Sequence, residues 1–321
     1  MNDKHLITIT RRTPGTPTVE GAEIRILGDQ KPTREALLAG IKGSHVVVTM
    51  YSDKVDREFL DAAGPQLKGV CNFAVGYENF DLALCRERGV VTTNTPHAVT
   101  EGTADLAWAL VLAAARRLIE ADRYARSPEY PARGHLGMSD FLGQDLTGRT
   151  LLIVGAGRIG YATAMRSRGW GMKVLYVARS RHWDFELAPL AAERVELMEG
   201  LSRADVVSIH CPLTPQTRHL MNAAAFAAMK PGAILVNTAR GPIVDEQALV
   251  DALAAGKLYA AGLDVFEQEP VVHPALIANP RVVLTPHIGS AETRYREMMT
   301  AMVCENAQAI LRGVEPPNRV Q

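Results

Sequence analysis

One short segment narrows the folds open to this chain more than any other: Gly155-Ala-Gly-Arg-Ile-Gly160, which directly follows the apolar run Leu151-Leu-Ile-Val154. A strand that turns through glycines into a helix is the setting a dinucleotide-binding loop requires. Gly155 suits the tight turn, Gly157 lets backbone N–H groups approach a pyrophosphate, and Gly160 lets helix and sheet pack closely. The N-terminus of the following helix favours phosphate charge. Three glycines in such a turn also arise for packing alone, so the strand before and the helix after carry the reading.

The rest of the chain agrees with that beginning. Short β-branched runs alternate with Ala- and Leu-rich segments, the pattern of parallel sheets with crossover helices. Residues 5–10, 46–50 and 90–93 read as strands, with helices at 34–41 and 80–88, giving an N-terminal α/β unit that ends near Pro96. A long helix is expected over 104–125 with Thr100 as N-cap, followed by a loop or arm over 127–148 rich in Pro and Gly. A second α/β run starts at 150–154 and continues with strands at 174–177, 206–210, 234–237, 261–265 and 282–285. The periodicity of 291–311 predicts a final helix, ended by Gly313, Pro316 and Pro317.

Bulk properties exclude several classes. The chain of 321 residues is 47% hydrophobic and 22% charged, ordinary globular composition with room for two domains. Its formal net charge of zero gives no pull toward nucleic acid or an anionic membrane. Cys71, Cys85, Cys211 and Cys304 stand apart, so neither a disulfide framework nor a thiolate metal site is expected. With no signal-peptide pattern and no spanning apolar run, the expected setting is the cytoplasm.

The end of the second strand after the loop adds coenzyme detail. An NAD site usually places Asp or Glu there to bind the ribose 2′-hydroxyl. Here Lys173-Val-Leu-Tyr-Val-Ala178 ends in alanine, and Arg179, Ser180 and Arg181 follow. Two guanidiniums and a hydroxyl suit a 2′-phosphate, which an acid would repel. Solvated arginines are the plainer reading, but they coincide with the missing acid. NADP(H) is therefore the preferred coenzyme, with NAD(H) as the alternative.

Three polar residues fall at expected strand ends: Arg240, Glu269 and His287. Ligands of open α/β sheets bind at the carboxyl ends of the strands, so the three could share one cleft. Arg suits a substrate carboxylate because its planar fork bonds two oxygens. His suits protonation of a developing alkoxide near neutral pH, and a carboxylate beside it stabilises its charged form. Each alone has a structural explanation, such as a surface pair or a hydrogen-bonded core histidine. Their shared placement favours reduction of a small 2-oxo acid.

At this level of detail the chain resembles the D-2-hydroxyacid dehydrogenase family. The resemblance runs through Leu67-Lys-Gly-Val70, Val75-Gly-Tyr-Glu-Asn79, Asn94-Thr-Pro96, Thr103-Ala-Asp-Leu106, the glycine loop, His210-Cys-Pro-Leu-Thr214, Asn237-Thr-Ala-Arg-Gly-Pro-Ile-Val-Asp245 and Thr285-Pro-His-Ile-Gly-Ser290. Within the family, Ala261-Gly-Leu-Asp-Val-Phe-Glu-Gln-Glu-Pro270 and Ala178-Arg-Ser-Arg181 look most like the glyoxylate/hydroxypyruvate reductases. The resemblance implies two doubly wound parallel-sheet α/β domains, with a Rossmann coenzyme domain (100–290) inserted into a flavodoxin-like substrate domain (1–99 and 291–321). It implies that Val75 and Gly76 bind the substrate carboxylate alongside Arg240. It also implies that Thr103, Arg158, Ile159, His210, Cys211, Pro212, Thr217, Thr238, Ala239, Asp264 and Gly289, with Arg240 and His287, contact the coenzyme. Family members are generally dimers, so a homodimer is expected, using the helix after Thr100 and the 127–148 arm. Glu269 argues against the formate dehydrogenase branch, which has Gln there. The alternatives are a family member acting on 2-ketogluconate or a bulkier 2-oxo acid, and a nicotinamide-sensing protein like the C-terminal binding protein corepressors.

Overall fold

The computed structural model describes residues 4–320. Met1, Asn2, Asp3 and Gln321, the outermost ends of the expected substrate domain, lie outside the described residues. The chain separates into two compact units, one made of the segments up to Val99 and from Ser290 onward, the other of Thr100–Gly289.

The first unit holds a five-stranded parallel sheet of β1 (His5–Ile9), β2 (Ala22–Ile26), β3 (Val46–Met50), β4 (Gly69–Phe73) and β5 (Val91–Thr93). Its order β2-β1-β3-β4-β5 is the flavodoxin-like one. Helices Arg34–Gly40, Arg57–Ala63 and Leu82–Glu87 start on Thr33, Asp56 and Asp81, whose side chains each accept a first-turn N–H. The last helix, Thr293–Arg312, belongs here because it packs on β4: a Cβ at Gly69 would lie 2.7 Å from Ile310 Cδ1. Gly313 closes that helix in the left-handed region at φ 68°.

Two strands and one helix of this unit escaped the sequence pattern. β2 reads Ala-Glu-Ile-Arg-Ile, a half-exposed edge strand, and β4 reads Gly-Val-Cys-Asn-Phe, low in β-branched residues yet wholly buried. Tertiary burial overrides weak local propensity in both. Helix Arg57–Ala63 is only seven residues long, too short to display a period clearly.

The second unit holds seven parallel strands: β6 (Thr150–Val154), β7 (Lys173–Val177), β8 (Glu193–Arg194), β9 (Val206–Ile209), β10 (Ala233–Asn237), β11 (Leu258–Leu263) and β12 (Val282–Leu284). Their order is β12-β11-β10-β9-β6-β7-β8, with β6 and β9 adjacent at the point where the winding reverses. That reversal opens a crevice at the carboxyl ends of β6 and β9, the ligand position of doubly wound sheets. The observed fold class is the one expected from the sequence.

The long helix departs from expectation. Helix Thr100–Ala115 begins at Thr100 itself rather than on a Thr100 cap, and it stops before Arg117, whose φ is 54°. A separate helix, Leu118–Ala125, follows. Apolar periodicity runs across the break, so pattern alone could not reveal a single left-handed residue. The segment read as a loop contains a short helix, Glu129–Arg133.

Candidate active site

Every expected site residue of the second unit lies at or just beyond the carboxyl end of its sheet or on an element flanking it. Gly155, at φ 107°, directly follows β6, and a Cβ there would lie 2.5 Å from the Cys211 N atom in the loop after β9. A Cβ at Gly160 would lie 2.3 Å from the Gly155 carbonyl oxygen, whereas nothing lies within 4 Å of one at Gly157. The two outer glycines thus serve close packing, and the middle one leaves open space in front of the helix that starts at Arg158. Gly157 caps that helix without a side-chain bond, leaving first-turn N–H groups for an anion. A cavity of about 530 Å³ borders the same turn, lined in part by Gly157, Arg158, Tyr161 and His182.

Further residues of the expected set follow the neighbouring strands β9 and β10. Thr238, just after β10, carries a buried hydroxyl with no hydrogen-bond partner among the described residues, a feature a bound ligand would satisfy. Thr217 donates to the Pro212 carbonyl at 2.7 Å and so closes the 212–217 turn. Burial pushes the His210 imidazole down to about 3, and its Nε2 bonds Ser208 Oγ at 2.8 Å. Burial likewise pushes the Cys211 thiol up to about 11. Both shifts favour the uncharged side chain near neutral pH. The open space at Gly157, the orphaned Thr238 hydroxyl and the uncapped helix fit a nicotinamide dinucleotide.

Strand β7 ends at Val177, Ala178 follows it, and Arg179, Ser180 and Arg181 are exposed beyond. Arg181 is already engaged: its Nε donates to Glu186 at 2.6 Å, and its guanidinium lies 4.5 Å from the Trp183 ring centroid. Tyr176 braces that arrangement by donating to the other Glu186 oxygen at 2.7 Å. A third arginine also participates. Arg194 on β8 donates to the Ala178 and Arg179 carbonyls at 2.9 and 3.1 Å. Sequence reasoning missed Arg194 because it lies sixteen residues away on a two-residue strand.

Three loops build the polar centre. Arg240 follows β10, Glu269 follows β11 and His287 follows β12. His287 Nδ1 donates to Glu269 Oε2 at 2.8 Å, and Glu269 Oε1 accepts from the Phe266 N–H at 3.2 Å. Burial works to raise the Glu269 carboxyl, but the His287 bond and charge, the Phe266 N–H and the Arg240 charge outweigh it and hold it below the usual range. Arg240 and Glu269 are near neighbours because Gly241 lets their loops touch, as a Cβ there would lie 1.8 Å from the Phe266 oxygen. Asn237 ties the Arg240 turn by donating to the Arg240 carbonyl at 3.0 Å.

Asp264 supports His287 from below. It is 1% exposed and accepts from Thr285 Oγ1 at 2.6 Å, the Ile288 N–H at 2.8 Å and the Gly289 N–H at 2.9 Å, while its carbonyl accepts from the His287 N–H at 2.9 Å. Burial pushes its carboxyl above the ordinary value despite these bonds. His287 itself has φ 54°, an uncommon conformation for histidine that this clasp stabilises. Thr103 completes the clasp by donating to the Gly289 carbonyl at 3.2 Å.

In the first unit, Val75 and Gly76 follow β4. Their carbonyls accept from Asn94 and Asn72 side chains at 2.8 and 2.7 Å, and Asn79 bonds Asn72 and the Asp53 carbonyl. This asparagine network fixes the peptide planes of the loop. Among the described residues, no group of three or more His, Cys, Asp or Glu is placed to hold a metal ion, and no helix is long and apolar enough to cross a membrane.

A glycine-loop Rossmann sheet with a His–Glu pair at its carboxyl edge defines a nicotinamide-dependent oxidoreductase. Residues 108–289 match the family model described as the NAD-binding domain of D-isomer specific 2-hydroxyacid dehydrogenases. A glyoxylate reductase of Thermococcus onnurineus is 47% identical over 99% of this chain and 96% of its own length. A solved Thermus thermophilus structure superposes with a TM-score of 0.91 at 42% identity, covering 98% of this chain and 100% of that one. An NADPH-dependent glyoxylate/hydroxypyruvate reductase from Sinorhizobium meliloti, solved with NADP and malonate, gives 0.83 at 30% identity, covering 99% and 97%. The chain belongs to the D-isomer specific 2-hydroxyacid dehydrogenase family and is an NAD(P)-dependent oxidoreductase.

Proposed function

We propose that this protein reduces small 2-oxo acids, glyoxylate and hydroxypyruvate foremost, to 2-hydroxy acids with NADPH. The observation that carries the reading is the 2.8 Å bond between His287 and Glu269, with Arg240 on the loop packed beside them. The nicotinamide supplies the hydride. Arg240 binds the substrate carboxylate through its guanidinium fork and orients the ketone. His287 donates its Nε2 proton to the ketone oxygen as negative charge develops there. Glu269 fixes the ring through Nδ1 and stabilises the imidazolium from which the proton departs. The Val75–Gly76 loop offers backbone N–H groups of the kind that bind carboxylates.

Ala178 with Arg179 and Ser180 supports the preference for NADPH, because alanine stands at the strand-end position where NAD-using sites carry an acid. The relatives named above support the choice of small substrates. A homodimer is part of the same reading. Helices Leu118–Ala125 and Glu129–Arg133 bury no residue within the chain, and Leu118, Met138 and Leu142 are 56%, 93% and 62% exposed, an apolar surface suited to a partner subunit.

A steady-state panel tests the reading: glyoxylate, hydroxypyruvate, pyruvate, phenylpyruvate and 2-ketogluconate, each with NADPH and NADH. The highest kcat/KM should fall on glyoxylate or hydroxypyruvate with NADPH. A preference for phenylpyruvate or 2-ketogluconate would move the protein to another branch. Coenzyme binding without turnover would instead fit a corepressor-like protein.

A further inference from the structure

The glutamate that meets His287 is not alone on its loop. Two residues earlier, Glu267 Oε1 bonds a second histidine, His219 Nε2, at 2.6 Å. His219, like His287, has a left-handed backbone, φ 49° against 54°. Such a conformation is uncommon outside glycine and persists where surrounding bonds over-determine it. At His219 those bonds are visible. Its N–H donates to the Pro242 carbonyl at 2.8 Å, next to Gly241, while its ring holds Glu267.

The contact continues into a reciprocal lock. The Glu267 N–H donates to Glu246 Oε1 at 2.7 Å, and Arg218 Nη2 lies 3.7 Å from Glu267 Oε1. Met221 N–H donates to the Ile243 carbonyl and Asp245 N–H to the Met221 carbonyl, both at 3.0 Å. His219 therefore ties together three chain segments: its own turn, the turn that carries Arg240 and the loop that carries Glu269. Nothing in the chemistry above uses this second histidine–glutamate pair.

We propose that His219 is a positioning residue which, through Glu267, holds the loop that presents Glu269 to His287. The proposal rests on the reading of Glu269–His287 as the proton-donating couple. The bond costs His219 a strained backbone, and it joins the two loops at the point where Gly241 already brings them into contact. A displacement of about 1 Å at a reacting group can cost up to about a hundredfold in rate, so a modest slackening of this brace is measurable.

The test compares full-length wild type with His219→Ala, His219→Gln and Glu267→Met. In His219→Ala, kcat for glyoxylate should fall about tenfold, with the NADPH dissociation constant changed by less than about twofold because the glycine loop is untouched. His219→Gln keeps an N–H donor for Glu267 and should recover most of the loss. Glu267→Met removes the acceptor while keeping the side-chain length, so it should fold even where alanine at 219 does not, and it should show the same loss in kcat alone. Unchanged kcat, a parallel loss of NADPH affinity, or no recovery with glutamine would overturn the proposal. Absence of turnover in the wild type would defeat the functional reading separately. The brace would then be read from ¹³C spectra of glutamate-labelled protein, where His219→Ala should raise the Glu269 titration midpoint, and an unmoved midpoint would overturn it.

Discussion

A Cβ placed on Gly241 would lie 1.8 Å from the carbonyl oxygen of Phe266. No side chain fits that gap, and the neighbour that would have to move is backbone. The turn holding Arg240 and the loop holding Glu269 therefore meet through their main chains. Gly241→Ala should destabilise the fold by about 3 kcal/mol or more and depress kcat/KM together with stability. Urea denaturation and steady-state kinetics on the same preparation check this. An alanine variant as stable as wild type would mean that the loops are not in contact at this point.

The 2′-phosphate reading makes unequal demands on two neighbouring arginines. Arg181 already serves Glu186 and stacks over Trp183, so its charge is largely answered within the chain. No side-chain bond ties the Arg179 guanidinium among the described residues. Arg179→Ala should lower the NADPH/NADH ratio of kcat/KM by about tenfold, the worth of one charge-assisted hydrogen bond, and Arg181→Ala should lower it less. Equal effects would place Arg181 on the phosphate as well.

Much of this was legible in the sequence because the candidate site residues are concentrated at strand ends. Gly155–Gly160, Ala178 and the trio Arg240, Glu269 and His287 each follow an apolar run, and the structure puts them beyond β6, β7, β10, β11 and β12. What stayed hidden depends on contacts between distant segments. Arg194 reaches Ala178 from a strand of two residues, β4 is a strand only because it is buried, and the break at Arg117 lies inside an unbroken apolar period. The supporting role of Asp264 was also hidden. Its carboxylate is spent on Thr285, Ile288 and Gly289, bonds that no local spacing announces.

His210 gives the fold a pH dependence of definite sign. Burial holds its folded pKa at about 3, whereas an unfolded histidine titrates near 6.5. Between these values the unfolded chain binds the extra proton and the folded chain does not, so stability falls as pH falls. The slope contributed is about 1.4 kcal/mol per pH unit below about pH 6. Denaturation at pH 7 and pH 5 of wild type and His210→Gln should show wild type losing more stability on acidification. Equal losses would mean that His210 is protonated readily in the folded state.

In the proposed function, His287, held by Glu269, gives the proton that completes ketone reduction. This step is tested most directly by the kcat of His287→Ala for glyoxylate with NADPH, measured against wild type at neutral pH. A fall of about a hundredfold to ten-thousandfold, with NADPH binding unchanged, is the expected result. A kcat within about twofold of wild type would remove His287 from the reaction and leave the proton donor elsewhere.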